Sequence, residues 1–160
     1  FALCYYSLSP GPTRDQTMTS QAIIAVNEFM SRYPASDQLE NFKSINEELT
    51  QRLHDKAYLN AYTYYKIGKY NSAIVALKNA LKKYPESTHR EEIMYLIVDA
   101  SYRFASNSIE EKQTDRYLSM LDSYLSFKEE YPESKHIREL ERMAKHAKDY
   151  LDRNKKDNNI

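Results

Sequence analysis

The stretch HDKAYLNAYTYYKIGKYNSAIVALKNALKKYPES, residues 54–87, leaves this chain few folds to choose from. Ala57, Ala61, Tyr64 and Ile67 recur at helical spacing up to Gly68, a residue suited to the left-handed turn that ends a helix. Ala73, Leu77, Ala80 and Leu81 repeat the pattern until Pro85 stops it. Small side chains at 57, 61, 73 and 80 let two helix backbones approach closely, and Tyr64 and Tyr70 are expected to fill the space beside them. The stretch is a helical hairpin. One hairpin cannot bury its own apolar flank, so it implies neighbours of the same kind.

Those neighbours show in the punctuation. Tyr33-Pro34-Ala35-Ser36, Tyr84-Pro85-Glu86-Ser87 and Tyr131-Pro132-Glu133-Ser134 share one order: an aromatic helix end, a breaker, then a serine able to cap the next helix. The three prolines are spaced 51 and 47 residues apart. Between them the chain has almost no breakers, with only two glycines and five prolines in 160 residues. That scarcity argues for an all-α chain of long helices, read as a single repeat domain over 1–154.

Taken in order, 1–8 is the tail of a helix and 9–20 a loop around Pro10-Gly11-Pro12. Helices are predicted over 17–33, 37–67, 71–84, 88–105, 115–131 and 134–154. The hairpins are then 1–33, 37–84 and 88–131, followed by one last helix. The helix over 37–67 is overlong, at about 45 Å, and outreaches any single partner. Thr88 with Glu91 forms a candidate capping box, 106–114 is a polar loop, and 155–160 is expected to fray.

Charge and chemistry narrow the function. Basic and acidic residues balance at 23 each, whereas a nucleic-acid partner normally demands a basic excess. The longest apolar runs are too short to span a membrane. The lone Cys4 allows no internal disulfide and is expected to be buried; Phe1-Ala2-Leu3-Cys4 is only a faint match to a lipidation box, because Leu3 stands where a small residue belongs. His54, His89, His136 and His146 follow no metal-ligand spacing, and no phosphate loop or nucleophile motif occurs. No catalytic residue, metal or cofactor is expected. Glu47-Glu48, Glu91-Glu92 and Glu129-Glu130 are read as solvated faces.

The hairpin over 54–87 resembles the 34-residue tetratricopeptide unit at Ala61, Tyr64, Gly68, Tyr70, Ala73, Ala80 and Pro85. It departs at Ala57, where that family usually carries a large aromatic, so packing there should be looser. The fold that follows is a tetratricopeptide-like α-solenoid. In that register Asp55, Tyr58, Tyr62 and Tyr65 line the concave, partner-binding face; the alternative is that they pack against the next hairpin.

The order Arg14-Asp15-Gln16-x-x-Thr19, Phe29-Met30-Ser31-Arg32-Tyr33-Pro34-x-Ser36, the overlong helix to Gly68 and the later YPxS stops resembles the outer-membrane β-barrel assembly lipoprotein family, BamD. The resemblance covers the family's C-terminal repeats. It implies a non-enzymatic scaffold at the periplasmic face of an outer membrane, held there by a lipid anchor on an N-terminal cysteine outside this stretch. Its implied partners are the periplasmic domains of the barrel-bearing subunit BamA, with other assembly lipoproteins or barrel-protein segments as further candidates. A different tetratricopeptide adaptor gripping an extended peptide is the second reading.

Overall fold

A computed structural model describes residues 1–157, with side chains through 154, and every regular element in it is an α-helix. The helices are α1 (Ala2–Leu8), α2 (Thr17–Arg32), α3 (Leu39–Lys66), α4 (Tyr70–Lys83), α5 (Arg90–Ser106), α6 (Glu110–Glu130) and α7 (Ile137–Asp157). The all-α reading holds, and α3 is a single uninterrupted helix of 28 residues. No helix among the described residues is long and apolar enough to cross a membrane. The expected frayed tail, apart from the helical backbone of 155–157, lies outside the described residues. The chain packs as two compact units, Phe1–Leu59 and Asn60–Ile160.

The three YPxS stops fold as one device. Tyr33, Tyr84 and Tyr131 have φ/ψ of −129/61°, −132/70° and −129/61°. The proline after each disfavours helical backbone at the tyrosine, so the helix must end there. Ser36, Ser87 and Ser134 donate their N–H to that tyrosine's carbonyl at 3.1, 3.1 and 3.2 Å. Each serine Oγ then accepts the N–H two residues on, from Gln38, His89 and His136 at 3.2, 3.2 and 3.1 Å. The chain is thereby handed to the next helix with its leading donors engaged.

In the first unit, Ala22 and Val26 of α2 meet Phe42, Ile45 and Leu49 of α3, and Phe29 stacks on Phe42 with centroids 4.1 Å apart. α1 closes this cluster with Ala2, Tyr5 and Tyr6. That choice of face overturns one expectation. Cys4 is exposed, because a helix of seven residues that turns 2, 5 and 6 inward leaves 3, 4 and 8 outside. The loop after α1 is tied down by its own amides: Gln16 Nε2 donates to the carbonyls of Gly11 and Arg14 at 2.8 and 3.0 Å, and Gln16 Oε1 accepts from Thr19 at 2.7 Å. Arg52 on α3 donates to the Ser9 carbonyl and hydroxyl at 2.9 and 2.8 Å.

In the second unit α5 lies against α4, α6 and α7. Met94, Val98 and Ala105 of α5 join Tyr117, Met120, Tyr124 and Phe127 of α6 and Leu140, Ala144 and Ala147 of α7 in one core. Each large side chain fully buried there contributes about 1.5–3 kcal/mol. Of the four small positions, Ala61, Ala73 and Ala80 are buried, with Leu77 beside them, whereas Ala57 is only half-buried. Gly68 adopts φ +74°, Lys69 N–H reaches the Tyr64 carbonyl at 2.9 Å and Gly68 N–H the Tyr65 carbonyl at 3.0 Å, a Schellman stop.

Four local expectations change here. Tyr64 and Ile67 are 45% and 62% exposed rather than buried, because α5 lies on the side of α3 that carries Tyr65. α5 begins at Arg90, slightly later than expected, with the Ser87 hydroxyl serving the junction and Glu91 accepting from Ser134 Oγ at 2.7 Å. The loop over 106–114 shrinks to 107–109, since the acidic Glu110 and Glu111 suit the first turn of α6. Four members of the acidic pairs are engaged rather than merely solvated: Glu48 with Tyr6 and Arg52, Glu91 with Ser134, Glu92 with His136 Nε2 at 3.3 Å, and Glu130 with Arg90 through a two-pronged ion pair.

Candidate functional site

The second unit presents a polar and aromatic face where the end of α3, α5 and α7 lie side by side. Sequence periodicity places Tyr62 and Tyr65 one turn apart on α3, and their rings stack with centroids 6.0 Å apart and planes 14° apart. Tyr70, at the start of α4, meets Tyr65 edge-on at 6.0 Å. The Lys66 ammonium lies 5.9 Å from the Tyr62 ring centre. Three tyrosines and a lysine thus form one cluster around the Gly68 turn.

Asp99 on α5 receives this cluster. Its side chain is fully buried, and Oδ2 accepts from the Tyr65 hydroxyl at 2.5 Å and from Arg103 Nε at 2.6 Å. Burial, followed by the Asp99 hydrogen bond, pushes the Tyr65 phenol well above its ordinary range. Arg103's own hydrogen bond to Asp99 likewise raises its guanidinium above the ordinary range. Along the face, Tyr95 donates to Glu139 of α7 at 3.3 Å and stacks on His136 at 3.9 Å. Burial first, then the charges of Asp99 and Glu139, push Tyr95 up to about 12. Tyr102 and His146 Nδ1 share a hydrogen bond at 3.2 Å two turns beyond.

The four residues expected to line a partner groove fare differently. Tyr65 is half-buried and bound to Asp99, so its hydroxyl positions α5 against α3 while one ring face meets Tyr62. Tyr62 is half-buried beside it. Asp55 and Tyr58 belong to the first unit, where Asp55 accepts from Gln51 Nε2 at 2.7 Å. Sequence reasoning missed Asp99, Arg103, Tyr95 and Glu139. A signal existed for the first two: Asp99 is the lone acid in the apolar run 93–100, with an arginine four residues on.

The arrangement can hold a partner's side chains; its ionisable groups are mostly spent on one another. The model of the YfiO family, described as outer membrane lipoprotein, matches residues 35–156. The chain belongs to this family. The YfiO match begins just after the first Tyr-Pro pair, runs through both later stops and takes in α3 to α7 up to residue 156, hence the whole of this face. Outer membrane protein assembly factor BamD of Caulobacter vibrioides is 25% identical over 99 residues, which is 62% of this chain and 32% of that protein. The chain therefore spans about a third of the length of the curated relative it matches. The resemblance to BamD drawn from the RDQxxT loop, the long helix and the repeated stops is borne out by both matches.

Proposed function

We propose that this chain is a non-enzymatic scaffold of the outer-membrane β-barrel assembly machinery, acting at the periplasmic side and holding the barrel-bearing subunit through its helix faces. The observation that carries the reading is the outer membrane lipoprotein match over residues 35–156, supported by likeness to a BamD assembly factor. The Tyr62–Tyr65 platform with Tyr95 and Arg103 supplies what a binding surface needs: rigid aromatic rings beside fixed donors. Asp55 and Tyr58, in the first unit, are proposed as contacts of their own. The polar groups of the face are occupied with aligning α3, α5 and α7, a use that suits recognition better than turnover.

Calorimetric titration of the chain with the periplasmic domains of the barrel-bearing subunit from the same organism tests this. Binding in the micromolar range is expected, and no heat at about 100 μM of either partner contradicts it. Tyr62→Ala is expected to weaken that binding about tenfold, as loss of an aromatic anchor does, with the melting temperature unchanged. A sharp fall in melting temperature would make Tyr62 a packing residue instead.

A further inference from the structure

Arg103 is an unusual surface cation. Its Nε is held by Asp99 at 2.6 Å while its side chain stays 46% exposed. No hydrogen-bond or ion-pair partner among the described residues meets Nη1 or Nη2, so both terminal nitrogens remain available on a partly exposed side chain with a fixed base. Asp99 itself is an expensive way to stabilise α5. It is wholly buried, both of its donors converge on Oδ2, and Oδ1 meets no donor among the described residues. A buried carboxylate with one unsatisfied oxygen is poorer for stability than an apolar residue of its size. What Asp99 does achieve is to hold the Tyr65 hydroxyl and the Arg103 guanidinium at one atom.

We propose that Arg103, anchored by Asp99 beside Tyr65 of the Tyr62–Tyr65–Tyr70 cluster, is a receptor for acidic side chains in a partner's extended segment. A guanidinium with Nε occupied still offers four N–H groups, two of which, one on each terminal nitrogen, are spaced to take both oxygens of one carboxylate. Holding it in advance removes much of the side-chain ordering cost of binding. Lys66 beside Tyr62 supplies a second positive charge on the same cluster, and the rings supply apolar contact for residues between the acids. Because the whole chain carries no net charge, the attraction belongs to this locale alone. The proposal rests on the reading of this face as a partner surface and names the chemistry it selects.

The test uses the full chain and a fluorescein-labelled, C-terminally amidated peptide, Gly-Tyr-Asp-Glu-Tyr-Gly. Two controls accompany it: the Asn/Gln counterpart amidated, and that counterpart with a free C-terminal carboxylate. The acidic peptide is expected to bind and to weaken as salt rises, and the amidated neutral one not to bind at comparable concentration. Arg103→Gln is expected to lose about tenfold in affinity, the scale of a charge-assisted pair, and Lys66→Gln about threefold. Circular dichroism reports whether Arg103→Gln folds; if it does not, Arg103→Lys, which keeps the charge and loses the fork, takes its place and is expected to lose affinity too. Three results would overturn the proposal: equal binding of acidic and neutral peptides, no binding of the acidic peptide up to about 1 mM, or undiminished binding by a folded Arg103 variant. Preference for the free C-terminus alone would also overturn it, since the site would then serve chain ends. Titrating the barrel-bearing subunit's periplasmic domains into the same variants separates the two claims. Loss of peptide discrimination with subunit binding intact sinks only the receptor. Intact peptide discrimination with no subunit binding sinks only the scaffold reading.

Discussion

At the scale of single residues, Gly68 carries the tightest constraint. A Cβ placed there would meet no atom within 4 Å, so a side chain is opposed by backbone conformation alone, φ +74°. Gly68→Ala should therefore cost about 1–2 kcal/mol in denaturant melts, the left-handed penalty of an L-residue, without disturbing any packing. Gly68→Pro cannot reach that φ at all and should unfold the α3–α4 hairpin, read as loss of helical ellipticity. Tyr65 gives a second test, through pH. Its phenol, like that of Tyr95, titrates above the ordinary value of 10, and Tyr95 does so near 12. A raised pKa favours the protonated folded form, so the stability involved is fully present below pH 10 and is lost as pH rises through about 12. Melting temperature should fall over that interval, and the fall should be shallower in Tyr65→Phe and Tyr95→Phe.

At the scale of elements, the Tyr-Pro-x-Ser junction is the repeating part, and its serines can be ranked. Ser87→Ala removes the hydroxyl that accepts the His89 N–H and should cost about 1 kcal/mol, as helix-start serines do. Ser134→Ala should cost more, because that hydroxyl also donates to Glu91 at 2.7 Å; equal losses in urea melts would contradict this. These junctions, the unbroken α3 and the Gly68 stop could all be read from the chain, since each is set by neighbours close in sequence. The first turn of α6 could not: Glu110 and Glu111 read as loop by composition, although acids at a helix start are favourable. Tyr64 and Tyr65 were exchanged for a related reason. Near a helix end two adjacent tyrosines point about 100° apart, and only the position of α5 decides which is buried. Of the candidate face, Tyr62 and Tyr65 were legible in the sequence. Asp99, Arg103, Tyr95 and Glu139 join them only when three helices distant in sequence lie side by side, which no local period reports.

At the scale of the whole molecule, composition and family agree. Balanced charge, scarce breakers and repeated stops describe an all-α protein of paired helices, and the outer membrane lipoprotein match spans most of that chain. The central claim is that the face made by the end of α3, α5 and α7 is where the assembly partner sits. Hydrogen exchange of the full chain, alone and with the barrel-bearing subunit's periplasmic domains, tests it most directly. Slowed exchange in the partner's presence, concentrated at 60–70, 93–104 and 136–147, is the expected outcome. Protection confined to the α4 and α6 surfaces, or none at saturating partner, would contradict it.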